Sequence, residues 1–243
     1  MIATASAGER TSGRRFFSMM AIFMIVCTLI GFAPSFYLRG LVHYPRPNPT
    51  LNPLIILHGT LFTVWLLIFW TQTMLIGAGR RDLHMKLGIG GMLLAVALVP
   101  LMYLTAVGGV ARGSAPPFTT PLAWTAVPLG SLAAYISLIY LGWRQRRNGL
   151  AHKRLMLCAA LILMGPAIGR FPIAPPILIG HIIQQSLAWC TVIPLFFHDR
   201  RTLGHIHWAT TLGAGLLATA VILGIAGIVL PGWPAIASHL PGL

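Results

Sequence analysis

The histidines of this sequence have the greatest capacity for chemistry, because imidazole ligates metals and exchanges protons near neutral pH. There are nine of them. His58 and His181 each lie a few residues after a proline, near the start of an apolar stretch. Each stretch ends in an arginine pair, and a second histidine comes after it at the same distance from the first. This layout predicts a degenerate helix-pair repeat that places histidines in two layers of a membrane. The outer layer comprises His58 and His181, and the inner layer comprises His84, His152 and His207.

Arg170 adds a positive charge to the predicted outer layer. The uncharged stretch between Arg154 and Arg170 would span about 22 Å as a helix, less than the roughly 30 Å of a hydrocarbon core. Arg170 is therefore expected at the outer membrane boundary or slightly inside it. No acidic residue is predicted on that side, so its anion is expected to be a lipid phosphate, a ligand carboxylate or a cofactor.

A b-type haem (haem b) would satisfy these outer residues together. His58 and His181, from different helices, would be the axial ligands of the haem iron. Gly59 and Gly180 beside them would let a flat macrocycle approach the backbone, and Arg170 would bind a propionate in a charge-assisted pair. A quinone would make use of the same groups.

The inner histidines allow two interpretations. His84, His152 and His207 would supply ligands for a second cofactor, of which two would suffice. Histidines beside arginine and lysine also serve as helix caps or contact lipid headgroups. Non-functional interpretations apply to the outer residues as well, since His58 and His181 would form a hydrogen-bonded structural pair and Arg170 would extend its guanidinium to the membrane surface.

The composition identifies the solvent of this chain as lipid. Hydrophobic residues make up 56% of the 243 residues and charged residues only 8%, whereas soluble domains carry about 25% charged residues. A soluble globule and a disordered chain are both excluded. The net charge of +14 comes from short basic runs between long uncharged stretches, a pattern that sets membrane topology and does not indicate a nucleic-acid partner.

The uncharged stretches predict an all-α, polytopic membrane helix bundle with seven transmembrane helices. Residues 1–15 form a basic tail, residues 16–230 the transmembrane domain and residues 231–243 a short outer tail. The seven predicted spans are Phe16–Leu38, Leu54–Ala78, Leu87–Val107, Leu122–Trp143, Leu155–Gly169, Pro176–Phe197 and Trp208–Leu230.

The distribution of lysine and arginine predicts the orientation of the chain. Most of the 17 basic residues lie in the N-terminal tail and in alternate connections, and basic loops stay in the cytoplasm. We therefore predict a cytoplasmic N-terminus, an outside C-terminus and a multi-pass protein of the bacterial inner (plasma) membrane. The three acidic residues, Glu9, Asp82 and Asp199, all fall on the inner side, so no predicted span contains the carboxylate that proton-coupled pumps use.

Several segments resemble a family of bacterial multi-span membrane proteins that carry several histidines and have no established activity. The similar segments are HGTLFTVWLLIFWTQTMLIGAGRRDLHMKLG at 58–88, AHKRLM at 151–156 and DRRTLGHIHWATTLG at 199–213. The family is more distantly similar to membrane families that include a cytochrome oxidase assembly factor. The resemblance implies that five residues occupy the family's polar positions, and His181 lies outside that pattern. The five are His58, His84, His152, Arg170 and His207.

These observations lead to one functional hypothesis and two alternatives. The leading hypothesis is a b-type haem or related redox-cofactor protein, acting in electron transfer or respiratory-complex biogenesis with a respiratory or other membrane protein as partner. The first alternative is a cofactor-free membrane scaffold or assembly factor whose histidines are structural. The second is a transporter or channel, a class that the predicted lack of membrane carboxylates disfavours but leaves open for a neutral solute.

Overall fold

The computed structural model describes residues 7–42, 51–171 and 177–243, and of the side chains of residues 7–14 nothing is described. These residues form helices joined by short connections. The helices, in chain order, are α1 (Ala7–Phe32) with a π-helical turn (Ala33–Tyr37), α2 (Pro53–Gly77), α3 (Arg81–Ala111), α4 (Pro121–Trp124), α5 (Ala126–Arg144), α6 (Gly149–Leu161), α7 (Met164–Ile168), α8 (Leu178–Cys190), α9 (Ile193–Leu203), α10 (Trp208–Val229) and α11 (Gly232–Ala237).

Seven helical segments are long and apolar enough to cross a membrane, so the prediction of an all-α, seven-span bundle is confirmed. They are Arg15–Tyr37, Pro53–Gly77, Arg81–Ala111, Pro121–Arg144, Gly149–Ile168, Leu178–Leu203 and Trp208–Val229.

Two helices extend well beyond the apolar stretches that predicted them. The third segment begins at Arg81 rather than Leu87, and the sixth continues past Phe197 to Leu203. Hydropathy detects only the apolar part of a span, whereas a helix continues into polar residues as long as its backbone hydrogen bonds are made. The predicted start of the sixth span, Pro176, lies outside the described residues.

The bundle has two ends, which are named here for their predicted positions. The inner end is the one at which α3, α6 and α10 begin, and the sequence predicts that it faces the cytoplasm. The outer end is the opposite one, at which α2, α4 and α8 begin. Large apolar side chains remain exposed along the outward faces, including Met19, Leu93 and Ile222, and exposed apolar surface of this extent is the surface that a lipid bilayer covers.

The fifth span, α6 with α7, lies at the centre of the bundle. Helix α6 packs against α1, α5 and α10, and its residues from Leu155 to Leu161 are almost entirely buried. Gly213 of α10 permits the close approach on one side, because a Cβ built there would lie only 2.9 Å from Cys158 Cβ. Small residues at helix contacts are typical of packing in membranes, where close van der Waals approach replaces the hydrophobic driving force.

Side-chain caps mark the beginnings of α2, α4 and α6. Asn52 accepts a hydrogen bond from Ile55 N at 2.9 Å at the start of α2. Thr120 does the same for α4 at 3.2 Å, and Asn148 for α6 at 3.3 Å. Asparagine and threonine are favoured N-caps because their side-chain oxygens satisfy backbone N–H groups that have no partner in the first turn.

Candidate functional site

The structure brings two of the inner histidines together. His84 lies in the first turn of α3 and His152 in the first turn of α6, and their ring centroids are 6.3 Å apart with the ring planes at 85°. Both rings are partly buried at the inner end of the bundle. Two imidazoles from two different spans therefore lie close together, with the edge of one ring towards the face of the other.

The orientation of His152 is determined by a backbone carbonyl. Its Nδ1 lies 2.8 Å from Gly142 O at the end of α5. A carbonyl oxygen only accepts, so Nδ1 carries the proton and donates it. The neutral ring then has its lone pair on Nε2, which is the tautomer and the backbone support found in most metal-ligating histidines.

Further polar groups lie beside this histidine pair. His84 Nδ1 and both side-chain polar atoms of Gln72 are buried without a hydrogen-bond partner among the described residues. Gln72 lies on α2 and faces α3, since a Cβ built on Gly88 would lie 3.4 Å from Gln72 Nε2. Buried polar groups without partners cost free energy, so this cluster is suited to take up a ligand. We call His84, His152 and Gln72 the inner pocket residues.

His207 has a different role from the other two inner histidines. Its Nδ1 accepts a hydrogen bond from Ala209 N at 3.1 Å, so the side chain caps the N-terminus of α10. Burial lowers the pKa of His207, and the nearby charge of Arg154 lowers it further. His207 is therefore a helix cap in this structure. The sequence had allowed either this role or that of a cofactor ligand.

Two fully buried charges lie next to His207, and sequence reasoning missed that they pair. Arg154 of α6 donates from Nε at 2.9 Å and from Nη2 at 2.5 Å to Asp199 Oδ1 of α9. Thr210 Oγ1 and His207 N donate to Asp199 Oδ2 at 2.6 Å and 3.0 Å. Arg154 and Asp199 are both fully buried.

The structure changes the position given to the acidic residues. Asp199 lies beyond the predicted end of the sixth span at Phe197 but inside the longer helix of the sixth candidate span, and Asp82 likewise lies inside the third, Arg81–Ala111. The spacing in the sequence was a signal for this position, because Asp199 follows Leu195 by one helical turn. In the structure both residues are buried, whereas the next two residues, Arg200 and Arg201, are exposed. Apolar content alone does not reveal such a face.

At the outer end, His58 lies among cations and aromatic rings. Its ring is 4.8 Å from that of Phe62, and its Nδ1 is buried with no hydrogen-bond partner in the described part of the chain. The guanidinium groups of Arg112 and Arg170 are close enough to act on it electrostatically. Arg170 Nη1 donates to Pro166 O at 2.7 Å, and its guanidinium lies 4.3 Å from the Phe32 ring centroid.

Arg112 is a second outer residue that sequence reasoning did not single out. It ends α3 and donates from Nε to Gly108 O at 3.1 Å. Burial lowers its pKa. An arginine that closes a span by bonding to its own last carbonyls also complements the negative end of the helix dipole, and this local role could have been read from its position at the end of the uncharged stretch.

His181 lies in an aromatic environment that does not include His58. Only 5% of His181 is exposed, and its ring lies 4.9 Å from the Trp124 ring and 5.6 Å from the Phe118 ring. Helix α8, which carries His181, packs on α7 and α10, whereas α2, which carries His58, packs on α1 and α3. The structure therefore gives the two outer histidines separate neighbours.

Comparisons with known proteins add no further information. No protein-family model matches the chain, and neither the curated proteins nor the solved structures contain a match. The resemblance described from sequence segments thus stays a prediction, and the function has to be argued from the geometry of the site.

Proposed function

We propose that this chain is an integral membrane protein that binds a redox cofactor of the b-type haem class through His84 and His152. The observation that carries this proposal is the 6.3 Å separation of their ring centroids. Two imidazoles at this separation would be able to hold one cofactor metal, since metal–imidazole nitrogen bonds are about 2.0 Å long.

The protonation of the pair supports the same ligand class. The Gly142 carbonyl keeps the proton of His152 on Nδ1 and leaves Nε2 available for a metal. His84 Nδ1 is buried with no hydrogen bond among the described residues, and a ligand that bonds to it would offset its desolvation. A quinone would instead receive hydrogen bonds from these rings and from Gln72, and the experiment below separates the two.

The charge at the inner end suits a ligand with carboxylates. Arg81 is exposed and acts electrostatically on His84, and Lys86 is exposed further along the same helix. Propionates of a haem at this depth would form charge-assisted pairs with such groups. When bound, the cofactor would supply one-electron transfer, which suits a role in electron transfer or respiratory-complex biogenesis with another membrane protein as partner.

The outer residues are not part of this proposed pair. His58 and Arg170 lie near each other, whereas His181 packs against Trp124 and Phe118. A second cofactor at His58 and His181 stays a prediction, and the proposal does not depend on it.

The test is an absorption spectrum of the protein purified from haem-replete cells, recorded oxidised and after dithionite reduction. We expect Soret and α bands, their loss in His84→Gly and in His152→Gly, and their partial return when imidazole is added to either variant. His205→Ala is the matched control, because His205 is exposed at the same end. A folded, colourless native protein would refute the haem proposal, and a bound quinone in its organic extract would then identify the other ligand.

A cofactor-free scaffold is the second candidate, and the buried network around Asp199 favours it. Arg154, Asp199 and Thr210 join the fifth, sixth and seventh spans by direct hydrogen bonds, which suits a rigid structural protein. A colourless protein that co-purifies with one membrane complex in stoichiometric amount would support this function over the first.

A further inference from the structure

A small cavity lies inside the membrane-spanning part of the bundle, near the outer end. It has a volume of about 20 Å³ and is bounded by residues of α5, α6, α7, α8 and α10. Most of its wall is apolar, with Leu161, Leu217 and Ala220 among the lining residues. Three polar side chains also line it, and these are Ser131, His181 and Gln185.

His181 is the residue that gives this cavity a chemical character. The residue is 5% exposed, and its Nε2 is buried with no hydrogen-bond partner within residues 7–42, 51–171 and 177–243. The rings of Trp124 and Phe118 lie 4.9 Å and 5.6 Å from the His181 ring. A buried imidazole nitrogen without a hydrogen-bond partner is costly unless something in the cavity bonds to it.

We propose that the cavity binds one water molecule, held by His181 Nε2, the Gln185 amide and the Ser131 hydroxyl. This site is independent of the proposed cofactor site at the inner end. A water needs about 10–15 Å³ of such space and two to four polar partners. The cavity has the volume, and three residues with polar side chains line it. Ser131 already donates to Val127 O at 3.0 Å, so its oxygen accepts from the water. Gln185 lies one helical turn after His181 on the same face of α8.

The size of the cavity excludes larger ligands of similar chemistry. A volume of about 20 Å³ fits a water molecule and not a haem or a quinone ring, so the proposal gives His181 a role in the hydration of the bundle. A bound water would connect α8 with α5 through hydrogen bonds, and buried waters with about three such bonds behave as part of the structure.

The test uses water-edited solid-state NMR of the protein in bilayers of deuterated lipid, with ¹⁵N-labelled histidine. We expect rapid magnetisation transfer from water to the His181 ring nitrogen, assigned by the loss of its signal in His181→Phe. Val221→Leu adds one methylene at the cavity wall and should slow this transfer several-fold. Gln185→Met, which removes a polar partner at similar volume, should slow it as well.

Val229→Leu is the matched control, because it adds the same methylene to an exposed position of α10 and should leave the transfer unchanged. Exposed His205 reports the water signal in every sample and shows that the sample is hydrated. The proposal fails if the native protein shows no transfer to His181, or if transfer is as fast in Val221→Leu as in Val229→Leu.

Discussion

The guanidinium of Arg154 and the carboxylate of Asp199 form a fully buried ion pair between the fifth and sixth candidate spans. Every oxygen of the carboxylate has a donor, because Thr210 and the His207 backbone N–H bond to Oδ2 while Arg154 bonds to Oδ1. A buried pair of this kind is tolerated only when such additional hydrogen bonds offset the desolvation of both charges.

Removing one partner of this pair should be strongly destabilising. Asp199→Ala leaves the Arg154 charge buried and unpaired, and breaking a buried pair in this way costs about 3–5 kcal/mol. Asp82→Ala is the control, because the Arg80–Asp82 pair is more than half exposed and such pairs contribute about 0–1 kcal/mol. Thermal unfolding in detergent, followed by circular dichroism, measures both. Equal midpoints for the two variants would contradict the role given to Asp199.

Replacing both partners together should recover stability. In the variant Arg154→Met with Asp199→Leu no unpaired charge remains, and apolar replacements of buried ion pairs are often neutral or stabilising. We therefore expect its unfolding midpoint to lie well above that of Asp199→Ala. If the double variant is as unstable as the single one, then the hydrogen bonds to Thr210 and His207, and not the Arg154 charge, dominate the effect.

Gly213 should be sensitive to the addition of a single methyl group. A Cβ at this position would lie 2.9 Å from Cys158 Cβ and closer still to its sulfur, so Gly213→Ala should cost about 1–3 kcal/mol through overpacking. Gly215 lies on the same helix with nothing within 4 Å of a built Cβ, and Gly215→Ala should stabilise by about 0.5–1 kcal/mol through reduced backbone entropy. Chemical unfolding of both variants tests this difference, and Cys158→Ala should partly rescue Gly213→Ala.

The cap formed by His207 predicts a dependence of stability on pH. Burial lowers the pKa of His207 below its usual value of 6.5, so the folded state disfavours the proton more than the unfolded state does. Its contribution is complete above pH 6.5 and is lost as the pH falls from there through the folded-state pKa. Protonation of Nδ1 also removes the acceptor for Ala209 N.

His207→Asn provides the measurement for this effect. Asparagine is a favoured N-cap that does not titrate, so the variant should retain the cap at both pH values. We expect the native protein to lose more stability than His207→Asn between pH 7.5 and pH 5.5, measured as the shift in unfolding midpoint. An identical shift in the two proteins would show that other groups carry the pH dependence.

Local sequence properties were sufficient to predict the seven spans and the helical fold. A stretch such as Trp208–Leu230 is recognised because length and apolar content are properties of the segment itself, and α10 covers nearly the same residues, Trp208–Val229. The caps that begin α2 and α6 are local as well. Helix ends were predicted less well where polar residues continue the helix, as in Arg81–Ala111.

The partners of the polar residues were decided by the tertiary structure alone. In lipid the buried face and the lipid-facing side of a helix are both apolar, so hydropathy does not indicate which faces meet. The sequence placed His84, His152 and His207 in one inner layer without showing which of them meet. The packing of α3 and of α6 on α5 brings the His84 ring beside the His152 ring. The same packing placed Asp199 opposite Arg154, because a buried charge is stable only where the bundle supplies its counter-charge.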